Sequence, residues 1–142
     1  MPFIQLTLPA GVLDDRVRRG LRDTLATTLM HWEGVPVDSA FFRAQAWAQI
    51  QEVPGNDFGA LGDELPRFRV DVTVPAGGLS ERRRAGLIQQ VTADVLAAAG
   101  LPADDAPRVW VLVREQQEGT WGAAGAVIRF ADLKALAAEH RA

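Results

Sequence analysis

The residue with the most distinctive chemistry stands second: Pro2 follows Met1 directly in the opening MPFIQLTLPAG. A proline at a chain start is a secondary amine that its own ring holds in place. Behind a retained Met1 it is an amide and does not titrate. Free α-amino groups titrate at about 7.7–8.0, so modest burial in an apolar pocket favours the neutral form and leaves a base poised near neutral pH. Such a base takes a proton α to a carbonyl and returns it elsewhere, which is keto–enol tautomerisation. A proline kept protonated would serve instead as an acid or an electrostatic anchor. Read alone, Pro2 is an inert residue at a chain start; the pattern of the rest of the chain is what gives it weight.

Other chemistries find few residues to use. The 142-residue chain has no cysteine, and its two histidines, His31 and His140, lack ligand spacing, so neither thiolate chemistry nor a metal or other cofactor is expected. A net charge of −3 disfavours non-specific nucleic-acid binding. The Arg82–Arg84 run beside Glu81 reads as the solvated side of a helix. No charged segment followed by an apolar one opens the chain, and no apolar stretch approaches about 18 residues. Neither export nor membrane insertion is indicated, and a cytoplasmic location is the expectation.

The elements that would position Pro2 come as a duplicate. A shift of 66 pairs Leu8-Pro9-Ala10-Gly11 with Val74-Pro75-Ala76-Gly77, Gly20-Leu21 with Gly86-Leu87, Gly34 with Gly100 and Pro36 with Pro102. Each copy opens with a period of two: Ile4, Leu6 and Leu8 in one, Val70, Val72 and Val74 in the other, which predicts a strand. Asp14 and Ser80 stand where helix N-caps belong. Leu13, Val17, Leu21, Leu25 and Leu29, then Leu79, Leu87, Val91 and Val95, recur at four residues or multiples of four, one apolar stripe per helix. Gly34-Val35-Pro36 and Gly100-Leu101-Pro102 stop the helices. Second strands are expected at about 44–52 and 109–115, the latter inside RVWVLVRE.

The expectation is one α+β domain of two fused repeats, about 1–62 and 66–130, with a short C-terminal helical tail, FADLKALAAEHRA. Each half is strand, helix, strand, with a right-handed parallel crossover. Together they make a four-stranded sheet with two helices on one face. The other face needs a cover, and oligomerisation is the simplest one. Glycine-rich turns, VPGNDFGALGD and QQEGTWGAAGA, follow the second strands and read either as hairpin loops packed by an aromatic or as substrate-facing loops.

Taken together, Pro2 opening the first strand, the Pro-Ala-Gly turns, GVP and GLP after the helices, VWVLVRE and the Trp121-Gly122 turn resemble the tautomerase superfamily over nearly the whole chain. Single-unit members such as 4-oxalocrotonate tautomerase are about half this long. The likeness is to the fused, two-unit type, which includes fused 4-oxalocrotonate tautomerases, malonate semialdehyde decarboxylase and cis-3-chloroacrylic acid dehalogenase. It implies the tautomerase (MIF-like) fold, a homotrimer, a small carboxylate or enol substrate, no cofactor, and Pro2 as the catalytic amine once Met1 is removed. Only one repeat begins with an amine, because Pro2 aligns with the internal Phe68.

The resemblance breaks at the carboxylate clamps. The arginine of 4-oxalocrotonate tautomerase falls on Val12 and, in the second copy, Gly78; the paired arginines of the decarboxylase and dehalogenase are replaced by Pro75-Ala76-Gly77-Gly78-Leu79. The absence of tyrosine argues against dehalogenation. The remaining candidates are Arg108, which would hold a carboxylate or merely end a strand, and Trp110, a pocket residue or a packing contact. Trp121 aligns with an active-site aromatic, and Asp38 lies within one residue of the decarboxylase's aspartate but is also an ordinary turn residue. Arg43 and Arg129 are weaker candidates. The preferred reading is an isomerase of enols or unsaturated keto acids with Pro2 as general base. The alternatives are a hydratase or decarboxylase of a three-carbon acid using protonated Pro2, a non-enzymatic trimeric binding protein, and a ferredoxin-like barrel that would leave Pro2 unexplained.

Overall fold

The computed structural model describes residues 2–140; Met1, whose departure the reading of Pro2 requires, lies outside them, as do Arg141 and Ala142 of the tail. Strand β1 (Phe3–Pro9) leads into helix α1 (Asp15–Glu33), a one-turn helix α2 (Ala40–Gln45) and strand β2 (Trp47–Val53). The second half repeats this with β3 (Phe68–Pro75), α3 (Glu81–Ala99), a 3-10 turn over Ala103–Arg108 and β4 (Val109–Gln116). A two-residue-per-strand hairpin, β5 (Gly122–Ala123) and β6 (Ala126–Val127), then carries the chain to α4 (Phe130–Glu139).

Both long helices begin and end as their sequences dictate. The carboxylate of Asp14 accepts from the Val17 backbone N–H, and the Ser80 hydroxyl accepts from that of Arg83. Gly34 and Gly100 close them in the left-handed conformation, at φ 76° and 67°. Glycine adopts that conformation without the steric cost a side chain would bring.

The sheet runs β2-β1-β3-β4, with parallel outer pairs and an antiparallel centre. At that centre Gln5 faces Asp71, its own counterpart one repeat of 66 residues on. Between the helices the Thr28 hydroxyl donates to Asp94 at 2.7 Å, again two residues 66 apart. Counterparts meet themselves only on a two-fold axis, so the halves are related by an internal dyad passing through the sheet centre and the helix pair. Past the helices the offset falls to 63: Trp47 beside Phe3 and Trp110 beside Arg69 are equivalent in register. The three additional residues of the first half lie in the connection that forms α2, where the second half has only the 3-10 turn.

The core lies between the sheet and α1 and α3. Ile4, Leu6, Leu8, Val70, Val72 and Val74 are completely buried there, against Leu21, Leu25, Leu29, Leu87, Val91 and Val95. The expected two helices on one face are present. The other face carries Gln5, Arg69, Asp71 and Arg114 with their hydrogen bonds and ion pairs, flanked by exposed Trp47, Trp110 and Leu112. The second strand of the first half starts at Trp47 rather than residue 44, because Ser39 caps α2 by accepting from the Phe42 N–H.

Candidate active site

A cavity of about 400 Å³ opens at the end of the sheet where β1 begins and β3 ends. Pro2 is buried in its wall. Met30 and Glu33 enter from the last turn of α1, and Phe41 and Phe42 from α2. Pro75, Gly77 and Gly78 line it from the turn after β3, Arg83 from the first turn of α3, and Phe130, Leu133 and Lys134 from α4. The walls are therefore largely apolar, with one carboxyl and two cations among them.

The turn after β3 leaves room by carrying no side chains. Gly77 has φ 82°, and a Cβ on it would meet the Phe130 ring at 3.9 Å. A Cβ on Gly78 would fall 2.9 Å from the Pro75 carbonyl oxygen, closer than such contacts occur, so this position cannot hold an arginine without moving the turn. The cation instead arrives from the helix that follows. Arg83 donates through Nη1 to the Glu33 carbonyl oxygen at 3.3 Å, tying the start of α3 to the end of α1. Among the described residues no carboxylate lies within ion-pair distance of Arg83 or Lys134. Lys134 lies 5.4 Å from the centre of the Phe130 ring. Burial pushes the Glu33 carboxyl up to about 7, because the charged form loses hydration in this apolar wall.

Helix α4 is a cover of modest strength. None of its residues is fully buried. Its far end is held by His140, whose ring stacks on Phe41 at 4.1 Å and whose Nδ1 lies 2.9 Å from the Leu136 carbonyl.

Of the residues singled out from sequence, Pro2 lines this cavity and the other six lie elsewhere in the single chain. Arg108 ends the 3-10 turn before β4, donates to the Pro66 carbonyl at 3.0 Å and pairs with Asp105 at 3.2 Å. It adjoins the Val109–Phe68 pair, whereas Pro2 adjoins the Phe3–Thr73 pair. Five residues of β3 separate these positions, roughly 17 Å of strand. Trp110 projects from the open sheet face. Trp121 is partly buried at the base of the β5–β6 hairpin, its carbonyl accepting from the Ile128 N–H at 2.8 Å. Asp38 is exposed in the connection between α1 and α2. Arg43 is exposed and donates to the Val37 carbonyl at 3.2 Å, and Arg129 begins α4 facing Glu118 at 4.0 Å.

Sequence reasoning missed Glu33, Arg83 and Lys134. For Glu33 a signal existed: it continues the stripe Leu21, Leu25, Leu29 by four more residues, so a carboxyl sits where the pattern calls for an apolar side chain. Arg83 was hidden in the middle of an arginine run.

Several solved structures share this architecture. A symmetric trimer of the fused 4-OT protein Q0 superposes with a TM-score of 0.72 at 21% identity, over 96% of this chain and 98% of that one. The chain has the tautomerase fold. The same tautomerase fold aligns with Pt0534, solved after inactivation by 2-oxo-3-pentynoate, at TM-score 0.74 and 19% identity over 88% of this chain and 94% of that one. It also aligns with a macrophage migration inhibitory factor-like protein from Entamoeba histolytica, at 0.70 and 16% over 89% and 98%. No protein-family profile matches the chain, and no curated protein matches it in sequence.

Proposed function

We propose that the protein is a cofactor-independent tautomerase acting on enols or unsaturated keto acids, with Pro2, freed of Met1, as general base. The observation that carries this reading is the burial of Pro2 in an apolar cavity whose rim holds two cations without carboxylate partners among the described residues. Apolar surroundings disfavour the ammonium form and so favour a neutral amine at working pH. Arg83 and Lys134 would hold the substrate's carboxylate and orient it toward Pro2, Arg83 offering the planar fork that a carboxylate fits. Replacing Pro2 by alanine keeps an α-amine but loses the ring that fixes it. Turnover of phenylenolpyruvate is expected to fall at least 100-fold, and unchanged turnover would end the proposal. Labelling by 2-oxo-3-pentynoate, read as an added mass on the amino-terminal peptide, checks the same nitrogen independently. An amino-terminal mass that retains Met1 would make the Pro2 nitrogen an amide and leave a binding protein as the reading.

A second reading rests on Glu33. As a carboxylate beside Pro2 it would favour the ammonium form, which suits a hydratase or decarboxylase of a three-carbon acid. Titration of the Pro2 nitrogen separates the two: a midpoint of about 6–7 supports the base and one of about 9 the acid.

A further inference from the structure

We propose that Glu33 is the second proton-carrying group of this site, donating to substrate carbon while Pro2 accepts from substrate oxygen. The inference rests on Pro2 acting as a base in this cavity and goes beyond it by assigning a partner. Glu33 lines the same cavity as Pro2, on the last turn of α1. Its carboxyl takes no hydrogen bond or ion pair from a described residue; the contact Arg83 makes with Glu33 goes to the backbone carbonyl. Among the described residues the charged groups that line the cavity with it are few: Arg83 from α3 and Lys134 from α4, with Phe41, Phe42 and Gln45 of α2 contributing none; the Pro2 nitrogen joins them once Met1 is removed.

The internal dyad supplies an independent control. At the equivalent place in the other half, 66 residues away, Pro2 becomes Phe68, Glu33 becomes Ala99 and Arg83 becomes Val17. The backbone scaffold of the wall is kept there, Gly77 and Pro75 corresponding to Gly11 and Pro9, yet the amine, the carboxyl and the guanidinium are all absent. A carboxyl needed only to end a long helix would be expected at both ends of the dyad. Glu33 instead occurs only where the amine does.

The chemistry balances as follows. Neutral Pro2 takes the enol O–H proton, the O–H electron pair forms the C=O bond, and the alkene pair takes the proton of protonated Glu33 to form the new C–H bond. The resulting Pro2 ammonium then returns a proton to the Glu33 carboxylate, directly or through water, so no proton is gained or lost per turnover. Burial places the carboxyl near neutrality, where it is both a competent donor and readily recharged.

The test uses Glu33→Gln, which keeps size and removes the proton. With phenylenolpyruvate, kcat is expected to fall about 100-fold with KM within about threefold, and the falling pH limb above about 7 to disappear while the rising limb set by Pro2 stays. Glu33→Asp should recover part of the loss. Nitrogen NMR of Pro2 needs no substrate: in Glu33→Gln its titration midpoint should drop by about one unit, because the facing carboxylate is gone. Wild-type kcat together with a Pro2 midpoint that moves less than 0.2 units, roughly the precision of such a titration, would overturn the proposal. If Pro2→Ala also leaves turnover intact, the base reading fails as well; if only Glu33→Gln is silent, Pro2 works alone.

Discussion

Glu33 carries a thermodynamic signature as well as a kinetic one. Its carboxyl is held at about 7 in the folded chain by burial, above the ordinary 4.5. The folded state therefore binds this proton more tightly than the unfolded state does. The stability it contributes is complete below about 4.5 and is lost as pH rises through about 7. Relative to the wild type, Glu33→Gln should gain roughly 2–3 kcal/mol between pH 5 and pH 8. Denaturant unfolding at the two pH values reads the difference, and equal shifts at both would show the carboxyl to be well hydrated. The residue scale is also where the sequence was least legible. Pro2 announces itself by position, but Arg83 and Lys134 reach the cavity from helices whose approach is set by packing, and nothing in a run of three arginines says which one turns inward.

At the scale of elements, the repeat conceals an asymmetry in how the two long helices meet. Gly20 and Gly86 are equivalent in sequence, yet a Cβ on Gly86 would fall 2.2 Å from the Trp32 ring, while one on Gly20 would meet nothing. Trp32 lies in the groove that Gly86 leaves and donates through Nε1 to Gln90 at 2.7 Å. Gly86→Ala should therefore cost about 1–3 kcal/mol by overpacking. Gly20→Ala should be neutral or gain up to about 1 kcal/mol, since a mid-helix glycine is entropically poor. Thermal melts of the two variants decide this, and matching effects would refute the packing account. The strands and long helices could be read directly, because each buries one stripe or one face along its whole length. Helix α2 could not: six residues are too few to show a period, and adjacent Phe41 and Phe42 read as well in a strand.

For the whole molecule, the open sheet face is the feature that demands a partner. Trp47 and Trp110 are 66% and 67% exposed at dyad-related positions, beside a central row of paired polar residues. An exposed apolar surface of this kind marks an interaction face. The homotrimer that the resemblance implies would cover it. Sedimentation is expected to give about three times the 15.4 kDa chain mass, and Trp47→Ser with Trp110→Ser should shift it toward the monomer. A wild-type monomer at micromolar concentration would leave that face to some other partner.

The dyad also makes the molecule its own reference experiment. A position on the paired strands or long helices of one half has a matched position in the other, at the same place along its element, and where the neighbours also match the pair isolates chemistry from framework. Damage to the framework should appear whichever half is altered, whereas damage to chemistry should appear only near Pro2. Pairing residue 33 with residue 99, or 83 with 17, separates the two within a single protein and under one set of conditions. Unfolding would be common to both members of a pair, and lost turnover private to one.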